Sequence, residues 1–242
     1  MTSIIRHGNP SFNPQTQSAL QANHGLAVLP EEHMSIAFIQ EALSSPQLVS
    51  LDPIIEGWNS EKRLIHAQHP YAEAATLMPL VETAQGIEML LTRRAMHLKK
   101  HSGQISFPGG RIDKEDASAA AAALRETFEE IGVPAEHIQL LGQLPDFFTG
   151  TGFLMKPFVA KLSPDYALAI NQDEVDEVFS VPLSFLLNPN NHFLHEAPVE
   201  NGVLRQYFSM PWRDYFIWGA TAAVIRNLYY VLGAFHSADR DE

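Results

Sequence analysis

The sequence has 242 residues, 45% of them hydrophobic and 18% charged, which indicates a packed core and argues against wholesale disorder. Its formal net charge of −12 argues against a general nucleic-acid-binding protein, because a phosphate backbone attracts clustered lysine and arginine. The chain contains no cysteine, which excludes disulfide bonds, thiolate metal sites and cysteine nucleophiles and is compatible with the cytoplasm.

The first part of the chain, residues 1–70, is predicted to be an extension of a main domain at 71–242. Its polar beginning is typical of an arm. Apolar residues recur at helical spacing between Glu31 and Ala42, and a second short helix is predicted from Trp58 to His66. These helices could cap the main domain or pair two copies in a homodimer, and the sequence leaves both possibilities open.

The main domain is predicted to begin with strands at Ala74–Val81 and Ile87–Thr92, joined by a turn at Gln85-Gly86. Further strands are predicted at 138–144, 154–161, 174–181, 192–198 and 203–208, with a closing helix at about 219–233. Strands and helices in this order indicate an α/β (α+β) fold with a mixed sheet between helices.

The most apolar stretch runs from Phe216 to Phe235 and is interrupted by Arg226 and Asn227. We therefore interpret it as a buried helix and expect no membrane partner. A further helix is predicted from Asp116 to Ile131, with Asp and Ser near its start as candidate caps. Gly132 after it suits the left-handed residue that ends many helices.

Three acidic residues, Glu126, Glu129 and Glu130, share one narrow face of this helix at about 100° per residue. Like charges at this spacing repel, so we expect compensation by Arg125 or by divalent cations. An acidic set without histidine or cysteine favours Mg²⁺ or Mn²⁺ over zinc. An isolated E-x-x-E-E pattern is more often a solvated face, so the flanking residues decide between the two interpretations.

The flanking residues resemble the Nudix box, which reads G, five residues, E, seven residues, R-E-U-x-E-E-x-G-U, with U aliphatic. The matching residues are Arg125, Glu126, Glu129, Glu130, Gly132 and Val133, preceded by Gly110. Asp116 stands where glutamate is usual, one residue farther from Arg125, and Thr127 replaces an aliphatic residue. The resemblance implies a Nudix-type α/β/α sandwich with a mixed sheet.

The segment before the helix resembles the motif of the coenzyme A pyrophosphatase branch of this family, L-L-T-x-R-[SA]-x3-R-x3-G-x3-F-P-G-G. The matching residues are Leu90, Leu91, Thr92, Arg94, Ala95, Gly103, Phe107, Pro108, Gly109 and Gly110. Lys99 stands where a second arginine is expected, which keeps the charge but loses the two-pronged geometry. Residues 93–110 carry four positive charges and no acid.

This resemblance implies metal-dependent hydrolysis of coenzyme A or a derivative to 3′,5′-ADP and 4′-phosphopantetheine. It implies that Glu126 and Glu130, with help from Glu129, bind Mg²⁺ or Mn²⁺ against the diphosphate. One of these glutamates, or Glu174 from a later loop, could act as the base.

The resemblance also assigns roles to the basic residues. Arg125 would orient a glutamate through charge-assisted hydrogen bonds. Arg94 and Lys99 would bind phosphate beside the flexible backbone of Gly109 and Gly110.

Two other functions stay open at this point. A pyrophosphatase for ADP-ribose, NADH or nucleoside triphosphates is disfavoured by the motif at 90–110, and a non-catalytic nucleotide-binding Nudix module by the retained glutamates. The loop Phe148–Phe153 could line a substrate pocket or serve only as a connection. His97 and His101 lie in a predicted loop, and we expect no histidine metal site.

Overall fold

The computed structural model describes residues 12–23, 25–45, 51–198 and 204–239. Its strands are β1 (Ala19–Gln21), β2 (Ala72–Thr83), β3 (Gly86–Arg94), β4 (Ile105–Ser106), β5 (Gly109–Arg111), β6 (Ile138–Gln143), β7 (Phe147–Phe148), β8 (Phe153–Leu162), β9 (Val175–Pro182), β10 (Phe193–Pro198), β11 (Leu204–Trp212) and β12 (Tyr215–Trp218). Its α-helices are α1 (Ile36–Leu43), α2 (Pro53–Gln68), α3 (Ala119–Ile131), α4 (Leu183–Leu186) and α5 (Ala220–Asp239).

The larger sheet is mixed and has β2 at its centre. β2 pairs in parallel with β8 and antiparallel with β3 and β5, and the path β4-β3-β2-β8-β6 is extended by β7 on β8 and β9 on β3. Ala75 of β2 lies between Gly110 of β5 and Lys156 of β8. This register brings the glycine segment against the middle of the sheet.

Helices cover both faces of this sheet, and the alternation of side chains along β2 explains why. Ala75 and Leu77 pack with Ala122 and Ala123 of α3 on one face. Met78 and Leu80, pointing the other way, join the large core that includes α1, α2 and α5. The predicted α/β/α layering with a mixed sheet is confirmed.

A second, antiparallel sheet in the order β1-β10-β11-β12 was not anticipated from the sequence. The strands predicted at 192–198 and 203–208 are present, but they belong to this second sheet and not to the main one. The polar arm supplies β1, which pairs with β10 through Leu20 and Leu194. Tyr207 further anchors this arm, because its hydroxyl donates to the Pro14 carbonyl at 2.6 Å.

Helix α3 begins at Ala119, three residues later than predicted. Ser118 is its cap, because its Oγ accepts from the Ala121 N–H at 3.1 Å. Asp116 lies outside the helix and binds Arg125 instead. At the other end Gly132 has φ 74°, so the predicted left-handed stop is present.

The prediction of a buried helix from Phe216 was wrong for its first residues. Tyr215–Trp218 form β12, which pairs with β11, and Gly219 at φ 65° separates this strand from α5. Periodicity alone does not distinguish a short apolar strand from a buried helix. Among the described residues, no helix is both long and apolar enough to cross a membrane.

The N-terminal helices pack onto the rest of the chain. Helix α2 is longer than the predicted Trp58–His66, since Asp52 caps it by accepting from the Ile54 and Ile55 N–H groups at 2.8 and 3.2 Å. The same Asp52 carboxylate accepts from Arg226 Nε of α5 at 2.7 Å. Of the two roles left open by the sequence, capping is thus visible in the structure, and pairing of two copies stays a prediction.

Candidate active site

The glycine segment before α3 lies against two of its carboxylates. The Gly109 N–H donates to Glu130 Oε2 at 3.1 Å. A Cβ on Gly109 would lie 2.4 Å from the Ala75 carbonyl oxygen, and a Cβ on Gly110 would lie 2.5 Å from the Glu126 carboxylate. Gly109 therefore needs to be glycine for its approach to the β2 backbone, whereas a side chain at Gly110 would displace the Glu126 carboxylate.

Arg125 links an acid that precedes helix α3 to two acids in the second half of that helix. Its Nε and Nη2 donate to the two Asp116 oxygens at 3.0 and 2.9 Å, and its Nη1 donates to Glu126 and Glu129, both at 2.9 Å. The hydrogen bonds from Arg125 lower the pKa of Asp116 to about 2. Asp116 thus orients the arginine, which in turn holds two glutamates in place.

Glu130 is the most deeply buried acid of the site, with a relative exposure of 2%. Burial raises the pKa of Glu130 to about 8, although the Gly109 N–H and Arg94 oppose the shift. The Arg94 guanidinium lies 3.6 Å from the Glu130 carboxylate. Burial also raises the pKa of Glu126. The negative charge of Glu174 further raises the pKa of both Glu126 and Glu130.

Arg93 and Arg94 of β3 bind different partners, because successive side chains of a strand point to opposite faces of the sheet. Arg94 contacts Glu130, whereas Arg93 pairs with Glu177 of β9 at 3.0 Å. The sequence gives two adjacent arginines but does not show which of them faces the site.

The loop from residue 163 to 174 folds back over the end of α3 and brings Glu174 to the site. Ala169 and Asn171 donate backbone N–H groups to the carbonyls of Ile131 and Glu130 at 2.9 and 3.0 Å. The Glu174 carbonyl accepts from Ala95 N–H at 2.9 Å, which ties this loop to the end of β3. Glu174 therefore lies beside Glu126 and Glu130, as its effect on their pKa values indicates.

Two of the predicted site residues, Glu129 and Lys99, lie at the edge of the carboxylate cluster or outside it. Glu129 is half exposed and held by Arg125 rather than turned inward with Glu130. Lys99 lies exposed in the turn between β3 and β4 and forms no hydrogen bond or ion pair within the described part of the chain. The structure brings together Arg94, Arg125 and the carboxylates, but not Lys99.

The donor set fits a hard divalent cation. Among the described residues, no three acidic or histidine side chains already surround a common point. Glu126, Glu130 and Glu174 nevertheless lie close enough to oppose one another's ionisation, and the available donors are all carboxylate oxygens. Mg²⁺ and Mn²⁺ prefer such ligands, and a bound cation would offset the burial and repulsion that raise these pKa values.

Comparison with known proteins identifies the family. The model of the NUDIX domain matches residues 70–201, which contain the glycine segment, α3 and Glu174. The chain belongs to the Nudix family. It is accordingly a hydrolase that acts on pyrophosphate bonds.

Bacterial Nudix relatives resemble the chain over most of their own length. A protein of Enterobacter sp. (strain 638), named uncharacterized Nudix hydrolase NudL, is 40% identical over 162 residues, which are 66% of this chain and 83% of that protein. A protein of the same name from Escherichia coli (strain K12) is 39% identical over 163 residues, covering 67% of this chain and 84% of that protein.

Solved Nudix structures share less with the chain. An Ap4A hydrolase of C. elegans in a binary complex has a TM-score of 0.40 and 24% identity, covering 46% of this chain and 80% of that one. A MutT/nudix family protein of Enterococcus faecalis has a TM-score of 0.44 and 16% identity, covering 78% and 71%.

Proposed function

We propose that this Nudix hydrolase cleaves the diphosphate bond of coenzyme A or a close derivative, giving 3′,5′-ADP and 4′-phosphopantetheine or its acylated form. Support comes from the segment Leu90–Gly110, which matches the coenzyme A pyrophosphatase motif at ten positions. This segment forms β3, β4 and the start of the glycine strand β5, whose Gly109 N–H donates to Glu130 of α3.

The observation that carries the proposal is the contact between Arg94 and Glu130. It joins the arginine of the substrate motif to the most buried acid of the Nudix helix, 3.6 Å apart. A guanidinium at this place can bind a phosphate oxygen while the acids beside it bind cations. The substrate motif and the catalytic helix would thus act on one diphosphate.

The carboxylates of Glu126 and Glu130, with Glu129 at the rim, would hold Mg²⁺ or Mn²⁺. Such a cation supplies charge neutralisation on the phosphate oxygens and a more acidic bound water. Arg125 keeps Glu126 and Glu129 oriented, and the Gly109 N–H fixes Glu130. Glu174 or Glu129 would accept the proton of the attacking water.

Arg94 would bind a phosphate oxygen, and the backbone of Gly109 and Gly110 would allow the diphosphate to approach closely. Lys99 would supply a further positive charge from its exposed turn.

The proposal also includes a division of the chain into two parts, a cellular location and an oligomeric state. Residues 1–70 would be an N-terminal extension and 71–242 the hydrolase domain. The enzyme would act on coenzyme A in the cytoplasm. A chain without cysteine is compatible with this reducing compartment. Assembly into a homodimer stays a prediction that a sedimentation measurement can test.

The experiment is product analysis by mass spectrometry after incubation with coenzyme A and either Mg²⁺ or Mn²⁺ in H₂¹⁸O. We expect 3′,5′-ADP and 4′-phosphopantetheine, with ¹⁸O in one of them. ADP-ribose, NADH and ATP tested in parallel provide the comparison. Faster hydrolysis of one of these would overturn the coenzyme A assignment, and hydrolysis of none would favour a nucleotide-binding module without catalysis.

A further inference from the structure

A second group of basic residues lies outside the catalytic site. Lys62 of α2 and Arg205 of β11 meet at the loop Phe148–Phe153, which the sequence left either as a pocket wall or as a connection. Both cations fall outside residues 70–201 matched by the Nudix model, whereas the loop falls inside them. The arrangement therefore combines a loop of the Nudix domain with one residue that precedes the matched range and one that follows it.

The contacts of α2 explain how Lys62 reaches the loop. Asn59, fully buried one turn earlier, accepts from the Phe148 N–H at 3.2 Å and donates to the Asp146 carbonyl at 3.4 Å. Lys62 Nζ then donates to the Phe148 carbonyl at 2.8 Å. One ammonium hydrogen is used in this bond, and two are left for a ligand.

Arg205 approaches the same loop from the second sheet. Its Nη2 lies 3.6 Å from the position that a Cβ on Gly150 would occupy, and its guanidinium stacks 5.4 Å from the centre of the Phe12 ring. This distance is an ordinary van der Waals contact, so the Nη2 end of the guanidinium lies directly beside the loop at Gly150.

Neither cation forms a salt bridge with an acid of the described residues, although the charge of the neighbouring Glu61 opposes the decrease in the pKa of Lys62. Burial lowers the pKa of Lys62, and Arg205 adds to the decrease; burial also lowers the pKa of Arg205. Half-buried like charges destabilise one another unless an anion lies between them. The pair therefore differs from an ordinary solvated basic surface.

The loop itself offers further donors. Thr149 and Thr151 are 3.1 Å apart through their hydroxyls, and Thr149 Oγ1 accepts from the Phe153 N–H at 2.9 Å. Neither the Gly150 nor the Thr151 N–H donates to a protein acceptor within the described residues. Free backbone N–H groups beside two cations are a common basis for phosphate binding.

We propose that Lys62, Arg205 and the loop Thr149–Gly152 form a binding site for a phosphate monoester, separate from the catalytic carboxylates. Lys62 lies over Phe147, which belongs to the core on the sheet face opposite α3. Strands β2 and β8 separate β7 from the glycine strand β5, a distance of about 14 Å at ordinary strand spacing.

Two sources could provide this phosphate. A long substrate could place a terminal phosphate there, which under the proposed function would be the 3′-phosphate of coenzyme A. A separate phosphorylated small molecule could occupy the site alone. The chemistry is the same in both cases, and the test distinguishes them.

Binding is measured first, by calorimetric titration of inorganic phosphate and of 3′,5′-ADP in the presence of a metal chelator. We expect Lys62→Gln and Arg205→Gln to weaken binding by about tenfold or more each, a loss of about 1.4 kcal/mol. Arg63→Gln is the matched control, because it removes an exposed charge from the next position of the same helix. Equal affinity in the wild type and both variants would overturn the site.

Conservative variants guard against misfolding. Lys62→Arg and Arg205→Lys keep the charge, so they should retain most of the binding. If the glutamine variants alone lose thermal stability, retained affinity in their folded fraction would show that Lys62 and Arg205 serve only to fix the loop, and would also overturn the proposal.

Turnover then identifies the source. If the substrate supplies the phosphate, Lys62→Gln should raise KM for coenzyme A by about tenfold, leaving KM for dephospho-coenzyme A and both kcat values unchanged. If a separate molecule supplies it, both KM values stay unchanged while the calorimetric loss remains. The titration needs no hydrolysis, so its result stands even if coenzyme A is not the substrate.

Discussion

Arg125 and Arg226 each bind carboxylates, yet their surroundings differ. Arg226 has 2% exposed surface and faces one acid, Asp52, at 2.7 Å, with His192 at 3.1 Å and the Phe208 ring below its guanidinium. Arg125 is partly exposed and binds Asp116, Glu126 and Glu129 together, next to the buried Glu130.

The two clusters differ in whether their charges balance. Around Arg226 each polar group has a partner and the charges cancel within the network. Around Arg125 acids outnumber bases, and burial raises the pKa of both Glu126 and Glu130. An unbalanced set of this kind is typical of a site completed by a ligand, and its substitution should affect activity more than stability.

The largest effect is expected for Glu126→Gln and Glu130→Gln. Loss of a carboxylate from the cation site should lower kcat by about 10²–10⁴-fold, the range for removal of a catalytic group. Because burial opposes the charge of Glu130, the metal-free Glu130→Gln protein should unfold at the same or a higher denaturant concentration. Steady-state assays and urea unfolding measure both. Substantial remaining activity would contradict the assignment of these acids.

Asp52→Asn should instead lower the unfolding free energy and leave the activity of the folded protein unchanged. It leaves Arg226 charged and buried, which costs about 3–5 kcal/mol in comparable pairs. The folded fraction should keep its kcat, because the pair lies away from the carboxylate site. The control is Glu56→Gln, which removes the exposed pair with Arg63 and should cost about 0–1 kcal/mol.

Removal of both partners sharpens this test. Asp52→Asn combined with Arg226→Met takes away the unpaired charge and should recover part of the lost unfolding free energy. A double variant as unstable as Asp52→Asn would mean that packing, and not the ion pair, dominates there.

Gly110→Ala should act through Glu126 alone. The backbone at Gly110 is not in the left-handed region, but the added Cβ would lie 2.5 Å from the Glu126 carboxylate. A displacement of about 1 Å at a catalytic group can cost about 10²-fold in rate. Gly57→Ala, with no atom within 4 Å of the added Cβ, is the control and should keep full activity. Unchanged kcat in Gly110→Ala would imply that Glu126 moves without consequence.

Helix α3 and its glycine segment were predictable from the sequence because their pattern is local. The helical spacing of Glu126 and Glu130 and the stop at Gly132 follow from residues a few positions apart. The pairing of β3 with β9, more than eighty residues later, gives Arg93 its partner Glu177 and leaves Arg94 to Glu130, and no local pattern shows it.

Non-local pairing also explains the other differences. The second sheet gains its edge strand because β1, in a segment with an ordinary polar composition, pairs with the distant β10. Lys62 gains its place only when α2 docks on β7 through Asn59. Sequence patterns specify secondary structure and local sites better than they specify which distant segments meet.

A fall in pH should affect the stability of the two regions in opposite directions, because protonation opposes folding at His192 and favours it at Glu130. Burial lowers the pKa of His192 to about 4, and its neutral ring is fully bonded: Nε2 to the Leu186 carbonyl at 2.7 Å and Nδ1 to Arg226. The unfolded chain, with a histidine pKa near 6.5, binds the proton first. Stability contributed by His192 is therefore present above pH 6.5 and is lost as the pH falls toward 4.

Glu130 responds in the other direction, because its pKa is raised to about 8 and protonation favours the folded state. The measurement therefore uses Glu130→Gln protein without metal. Its unfolding free energy should fall by about 2 kcal/mol between pH 7 and pH 5. Adding His192→Gln should remove most of this fall, since an amide can still donate and accept but does not titrate. An equal fall in both proteins would assign the acid sensitivity to groups other than the Arg226 network.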